Sequence, residues 1–148
     1  MAKRTTVGAR AKGIERTVQQ LLWPGTVFAG HAKRPALEDQ DVCGLGCDDW
    51  PWWGEVKNYG QATIRDGGGT WAVLEKALEQ AGKAILRNVQ VWPTDGAGLP
   101  VRPKPFAVLW PSGSRREDQR LAMCEYAGAR VVMPLHQFKR LFVDGPSE

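Results

Sequence analysis

The chain is poor in the side chains that hold transition metals or staple small folds, with three cysteines and two histidines among 148 residues. So few thiols, and an odd number of them, exclude a disulfide framework and fit a reducing compartment. Cys43 and Cys47 stand four positions apart, yet Cys124, His31 and His136 supply no second ligand pair at a zinc spacing. Cys43 therefore reads as a small apolar strand residue and Cys47 as a turn residue. Long apolar runs are lacking too: none approaches the roughly 20 residues of a membrane helix. The basic start has no apolar stretch of the kind a signal peptide carries. These absences predict a cytoplasmic protein with no membrane partner. No Gly-Lys-Ser/Thr follows Gly67-Gly68-Gly69, which argues against a phosphate-binding loop and a nucleotide cofactor. There is no internal repeat.

What is present suits one domain spanning 1–148, since a chain 43% hydrophobic at this length builds a single core with little to spare. Twenty Lys+Arg against 16 Asp+Glu leave a formal charge of +4, and its distribution says more than its size. Lys3, Arg4, Arg10, Lys12 and Arg16 precede any strong core signal, with 1–8 reading as a basic flexible arm. Lys33 and Arg34 follow the first strand candidate. The acids gather at Glu38 to Asp41 and at Asp48 and Asp49.

Ile14, Val18, Leu21 and Leu22 recur at helical spacing from about Ala9 to Trp23, where Pro24-Gly25 stops the helix. Thr26 to Ala29 is a short strand candidate. Asp41 to Gly44 and Trp52 to Lys57 are two more, joined by a connection short enough for an antiparallel hairpin. Asn58 to Gly69 is polar and glycine-rich and reads as a mobile connection. Thr70 can cap a helix whose buried stripe is Trp71, Leu74, Leu78, Ala81 and Ile85. The segment 88–105, rich in proline and glycine, is a loop or insertion. Phe106 to Trp110 is a continuous apolar run that suits a strand covered on both faces. Leu121 to Tyr126 and Ala129 to Met133 flank Ala127-Gly128 as a second hairpin, although the first of them would also pass as a short helix. Pro134 opens a last helix with Leu135, Phe138, Leu141 and Phe142 on one side, and 144–148 is expected to fray. The element order predicts an α/β fold with a mixed sheet flanked by helices.

The chemistry concentrates in Glu55-Val56-Lys57. In an extended segment alternate side chains share a face, so Glu55 and Lys57 project together while Val56 turns away. Asp41 lies fourteen positions upstream of Glu55. If it ends the neighbouring strand, two carboxylates and an ammonium converge, as needed to hold a divalent cation beside a phosphodiester. A surface ion pair is the plainer reading of Glu55 and Lys57, although Trp52, Trp53 and Val56 mark a mostly buried strand where charges are not placed idly. Glu15 borders the apolar stripe of its helix, which suits either a carboxylate reaching a site over the sheet or an ordinary solvated glutamate. Of the cluster Trp50-Pro51-Trp52-Trp53, at least one of Trp52 and Trp53 is expected in the core. Trp50 is left as a candidate for stacking on exposed bases.

The set of Glu15 on a first helix, Asp41 on the second strand and Glu55-Val56-Lys57 on the third, followed by a helix and an apolar strand, resembles the PD-(D/E)xK nuclease superfamily. Within it, the layout is similar to the small Holliday junction resolvases of archaea and bacteriophages, over nearly the whole chain. The closing Val131 to Phe138 fits the same likeness. One departure is Gln40, which stands where the proline that names the motif is expected; another is the segment 88–105. The resemblance implies a restriction-endonuclease-like core and a bacteriophage or bacterial source, hence host cytoplasm for a bacteriophage gene. It implies that Asp41, Glu55 and the Val56 carbonyl ligate Mg²⁺ or Mn²⁺, that Glu15 completes or tunes the site, and that Lys57 orients the attacking water. It also implies a homodimer acting on branched DNA such as a four-way junction, leaving 5′-phosphate and 3′-hydroxyl ends. Candidate interfaces are the surface around Trp71 and Leu78 or the strand at Phe106 to Trp110. Gln61 is a further candidate for positioning water or phosphate. Lys3, Arg4, Arg10, Lys12, Lys33 and Arg34 are candidates for DNA contact. Rival expectations are a nicking, mismatch or restriction-type nuclease of the same fold, an inactive DNA-binding module, and a zinc-stabilised structural protein.

Overall fold

The computed structural model describes residues 7–24, 42–43 and 52–144. The strand candidate Thr26 to Ala29, the residues Lys3, Arg4, Lys33, Arg34, Asp41, Cys47 and Trp50, and the tail beyond Asp144 lie outside the described residues.

Helix α1 (Val7–Leu22) begins two residues before the expected start. It buries Val18, Leu22 and, just past its end, Trp23, as the helical spacing requires. Two-residue strand β1 (Val42–Cys43) pairs antiparallel with β2 (Trp52–Lys57), with Val42 opposite Gly54 and Cys43 opposite Trp53. That is the expected hairpin.

The stretch read from sequence as a mobile connection is instead ordered. It holds a short helix, α2 (Gln61–Asp66), anchored by the buried side chain of Ile64. Three glycines then turn the chain. Gly67, Gly68 and Gly69 donate their amides to the carbonyls of Thr63, Arg65 and Ile64 at 2.9, 3.1 and 2.9 Å. Gly68 and Gly69 adopt φ of 97° and 98°, a region open to glycine and costly for other residues. The glycines are thus consumed in reversing the chain between two helices.

Helix α3 (Thr70–Arg87) follows, with Gly69 rather than Thr70 at the cap position and no capping side chain. Its buried face is Val73, Leu74, Ala77, Leu78, Ala81, Ala84 and Ile85. Trp71, expected on that stripe, is 50% exposed: the true centre of the face runs through alanines, so the stripe is rotated away from Trp71. A 3₁₀ turn (Val89–Val91) and an isolated bridge between Thr94 and Pro100 give the segment 88–105 some local order. Strand β3 (Lys104–Leu109) starts two residues before the apolar run.

The remaining strands, β4 (Leu121–Tyr126) and β5 (Ala129–Pro134), form the second hairpin. Its turn residues Ala127 and Gly128 have φ of 52° and 82°, the pair of positive values that suits a type I′ turn. Helix α4 (Leu135–Phe138) continues into a π turn (Lys139–Val143) that keeps Phe142 against the core.

The five strands lie in the order β1-β2-β3-β4-β5, with β2 and β3 parallel and every other neighbouring pair antiparallel. The result is a mixed α/β sheet flanked by helices. Strand alternation divides the core in two. Trp52, Val56, Phe106, Val108, Ala122 and Cys124 face α1 and α4, joined there by Leu135 and Phe138. Trp53, Ala107, Leu109 and Met123 face α3. β3 is central and buried on both faces and Leu78 is 2% exposed, so neither is available as a subunit interface in this fold, whereas Trp71, the other half of the expected helical surface, is exposed.

Candidate functional site

Strand β2 carries the expected chemistry on the α3 face. Its residues alternate, so Glu55 and Lys57 share the side of Trp53 while Trp52 and Val56 fill the opposite core. The Lys57 ammonium lies 3.7 Å from Oε2 of Glu55, with the two side chains 21% and 14% exposed. That separation exceeds hydrogen-bond length, so the contact is electrostatic and leaves both groups able to engage other atoms. Desolvating two charges largely cancels their attraction, and stability alone does not account for placing them here.

The backbone at Lys57 is pinned. Its carbonyl accepts the Trp110 amide at 2.8 Å, the Asn58 side-chain amide donates to the Trp110 carbonyl at 2.9 Å, and the Ser112 amide donates to the Tyr59 carbonyl at 2.9 Å. These bonds prolong the β2–β3 pairing beyond the strands proper. Trp110 is in turn held by the Arg120 guanidinium, 3.9 Å from its ring centre, a stacked cation–π contact. Because successive carbonyls of a strand point to opposite sides, the Lys57 carbonyl facing β3 sets that of Val56 toward the β1 edge.

Lys57 also lines a cleft of about 440 Å³ with Tyr59, Thr63, Asp66, Lys76 and Gln80. The sequence singled out none of these five companions. The readable signal was the polar side of α3, where Lys76 and Gln80 stand four apart and so share a face.

Other expected site residues fall at varied distances from this pair. Val42 pairs with Gly54, the neighbour of Glu55, and Asp41 is the residue before Val42. Glu15 is half-buried on α1, which packs over β1 and β2 from the face opposite Glu55 and Lys57. Gln61 is exposed at the start of α2 and lines a separate hollow with Thr70, Ser112 and Gln119. Arg10 and Lys12 fall within α1. Trp52 and Trp53 are core residues, 3% and 0% exposed. Among the described residues neither indole N–H meets an acceptor.

Among the described residues, no three of His, Cys, Asp and Glu gather into a group that could hold a metal ion; Asp41, the other carboxylate of the expected site, is not one of them. Cys124 is buried, and that burial pushes its thiol up to about 11, so it is an inert core side chain. No helix among the described residues is long and apolar enough to cross a membrane. No family model, curated protein or solved structure matches the chain.

Proposed function

We propose that the chain is a metal-dependent endodeoxyribonuclease of the PD-(D/E)xK kind, with a restriction-endonuclease-like core, that cuts branched DNA such as a four-way junction. The observation that carries this reading is the Glu55 and Lys57 pair. It is held on one face of β2 beside a cleft, on a strand bonded to the residue that follows Asp41. Asp41 itself lies outside the described residues, and its joining Glu55 is part of the proposal.

The donor chemistry fits a hard divalent cation: the Glu55 carboxylate, the Val56 carbonyl turned toward β1 and the Asp41 carboxylate are all oxygen ligands, which suit Mg²⁺ or Mn²⁺. The cation, when bound, supplies charge that acidifies an attacking water and offsets the charge of the phosphate. Lys57, fixed by the Trp110 bond, orients that water and meets a phosphate oxygen. Water oxygen bonds to phosphorus as the bond to the 3′ oxygen breaks and that oxygen takes up a proton, leaving 5′-phosphate and 3′-hydroxyl ends. Glu15 is the outlying member, on the helix that packs against the opposite face of β2. Two such sites in a homodimer would match a two-fold junction.

Cleavage of labelled four-way junction, flap and plain duplex DNA, with and without Mg²⁺ or Mn²⁺, tests the proposal. Metal-dependent cutting of the junction is expected, near-abolished in Asp41→Asn, Glu55→Gln and Lys57→Ala and only partly reduced in Glu15→Gln. Equal cutting of plain duplex would replace junction selectivity with a nicking or restriction-type activity. Junction binding without cutting by the unaltered chain would leave a DNA-binding module.

A further inference from the structure

Helix α3 carries exposed charges of both signs, with Lys76 and Arg87 away from its two glutamates. On one flank Glu75 and Glu79 turn toward β5, where Arg130 meets Glu75 in a close ion pair at 2.6 Å and approaches Glu79 at 3.7 Å. Lys76, Gln80, Lys83 and Arg87 are all exposed; Lys76 and Gln80 border the Lys57 cleft, and Lys83 borders a second hollow that Glu79 and Arg130 also line. Their spacing of four, three and four makes a single stripe along the helix. Among the described residues neither Lys76 nor Lys83 is ion-paired. Glu79 lies one turn from Lys83 and yet is engaged by Arg130. Towards the carboxyl end of α3 Lys83 and Arg87 offset the helix dipole, whereas Lys76, in the second turn, gains nothing from it and stands at the cleft.

The stripe leads to the cleft. Lys76 and Gln80 line it together with Lys57, Tyr59 and Thr63, and Asp66 is the one acid at its rim. From Lys76 to Arg87 the helix rises roughly 16 Å, over which one strand of duplex passes about five phosphates.

We propose that the Lys76, Lys83 and Arg87 flank of α3, with Gln80 between, is a track for the phosphate backbone of a nucleic acid whose reacting phosphate lies at Lys57. The identity of the polyanion as DNA rests on the nuclease reading above; the track itself rests on charge and geometry.

Equilibrium binding of a fluorescent four-way junction to the full chain, measured by anisotropy in EDTA across a salt series, tests the track apart from cutting. The triple variant Lys76→Gln, Lys83→Gln, Arg87→Gln should bind more weakly, with a log–log salt slope shallower by about 0.9 for each cation removed. The matched variant Arg115→Gln, Arg116→Gln, Arg140→Gln, which removes equal charge from exposed positions off α3, should keep the native slope. Unchanged circular dichroism and melting of both variants guard against misfolding. The track is overturned if the α3 triple keeps the native slope and affinity, or if the matched variant loses as much. An unaltered chain that binds through α3 and cuts nothing would instead overturn the nuclease reading and leave the track standing.

Discussion

The two faces of the sheet are built from opposite materials. Toward α1 and α4 the core is aromatic: Phe106 meets Trp23, Trp52 and Phe138 with ring centres 5.9, 5.8 and 5.3 Å apart. Toward α3 it is lined by Ala77, Ala81 and Ala84, small enough to bring a helix close and leave charged groups at the border. Even the glycine of β2 belongs to this division. A Cβ on Gly54 would lie 2.3 Å from the Phe106 ring, so the strand can cross beneath that ring only without a side chain. One face is therefore spent on cohesion, and the other carries the Glu55 and Lys57 pair, the cleft and the charged flanks of α3. A single strand can serve both because its alternation keeps Val56 in one environment and its neighbours in the other.

Substitutions that shrink or crowd the aromatic face should produce the largest losses of stability. Phe106→Ala is expected to cost about 3–5 kcal/mol, read as a lowered midpoint in urea or a lowered melting temperature. Gly54→Ala should cost about 1–3 kcal/mol, because the ring it strikes is wedged among three others. A Gly54→Ala protein of native stability would mean that the aromatic cluster yields more than its packing indicates.

The α3 face should behave otherwise. Lys57→Met removes the ammonium beside the 14%-exposed Glu55 carboxylate and is expected to cost about 1–3 kcal/mol, less than Phe106→Ala, while removing nearly all metal-dependent cutting. Denaturation and cleavage measured on the same preparation test that contrast, and a large stability loss would recast the pair as structural. Cys124 gives the aromatic face a pH signature. Its thiol is raised from 9.0 to about 11 by burial, so the folded state holds its proton where the unfolded chain releases it. Stability from this group is intact below pH 9 and falls as pH rises toward 11; Cys124→Ala should flatten that decline in denaturation curves recorded across the interval. The smallest effect lies away from both faces: Ala127→Asn should stabilise by about 0.5 kcal/mol, since asparagine tolerates the left-handed turn position better than alanine.

Strands β2 to β5 were legible as apolar runs bounded by proline or glycine, although Phe106 to Trp110 is apolar throughout, Leu121 to Tyr126 would also have passed as a short helix, and the informative alternation is that of β2. The Glu55 and Lys57 pair followed from that alternation alone. Helix α2 was hidden by composition: one buried residue, Ile64, anchors it, and the glycines that read as looseness are hydrogen-bonded in its closing turn. Trp71 was misplaced because a large side chain dominates a hydrophobic pattern, whereas the helix packs through alanines that such a pattern barely registers. The cleft beside Lys57 was not readable, because its lining residues, all between Lys57 and Gln80, are brought together only by the turn between α2 and α3, which the sequence did not reveal. The separation of Glu15 from the pair was hidden for a related reason: helical position tells which residues face the sheet, and topology decides which side of it they cover.

The parallel pairing of β2 with β3 has a consequence for assembly. Glu55 and Lys57 sit opposite Ala107 and Leu109, partners far along the chain that arrive only after α3 has crossed over. Closing so long a loop is a slow, entropically costly step. During synthesis the Glu-x-Lys segment therefore emerges well before its anchor at Trp110, and a nascent chain released ahead of β3 would hold the acid and the base on an unpinned ribbon. Fixing of the Glu55 and Lys57 pair is thus tied to the docking of β3, after which β4, β5 and α4 still have to close the core.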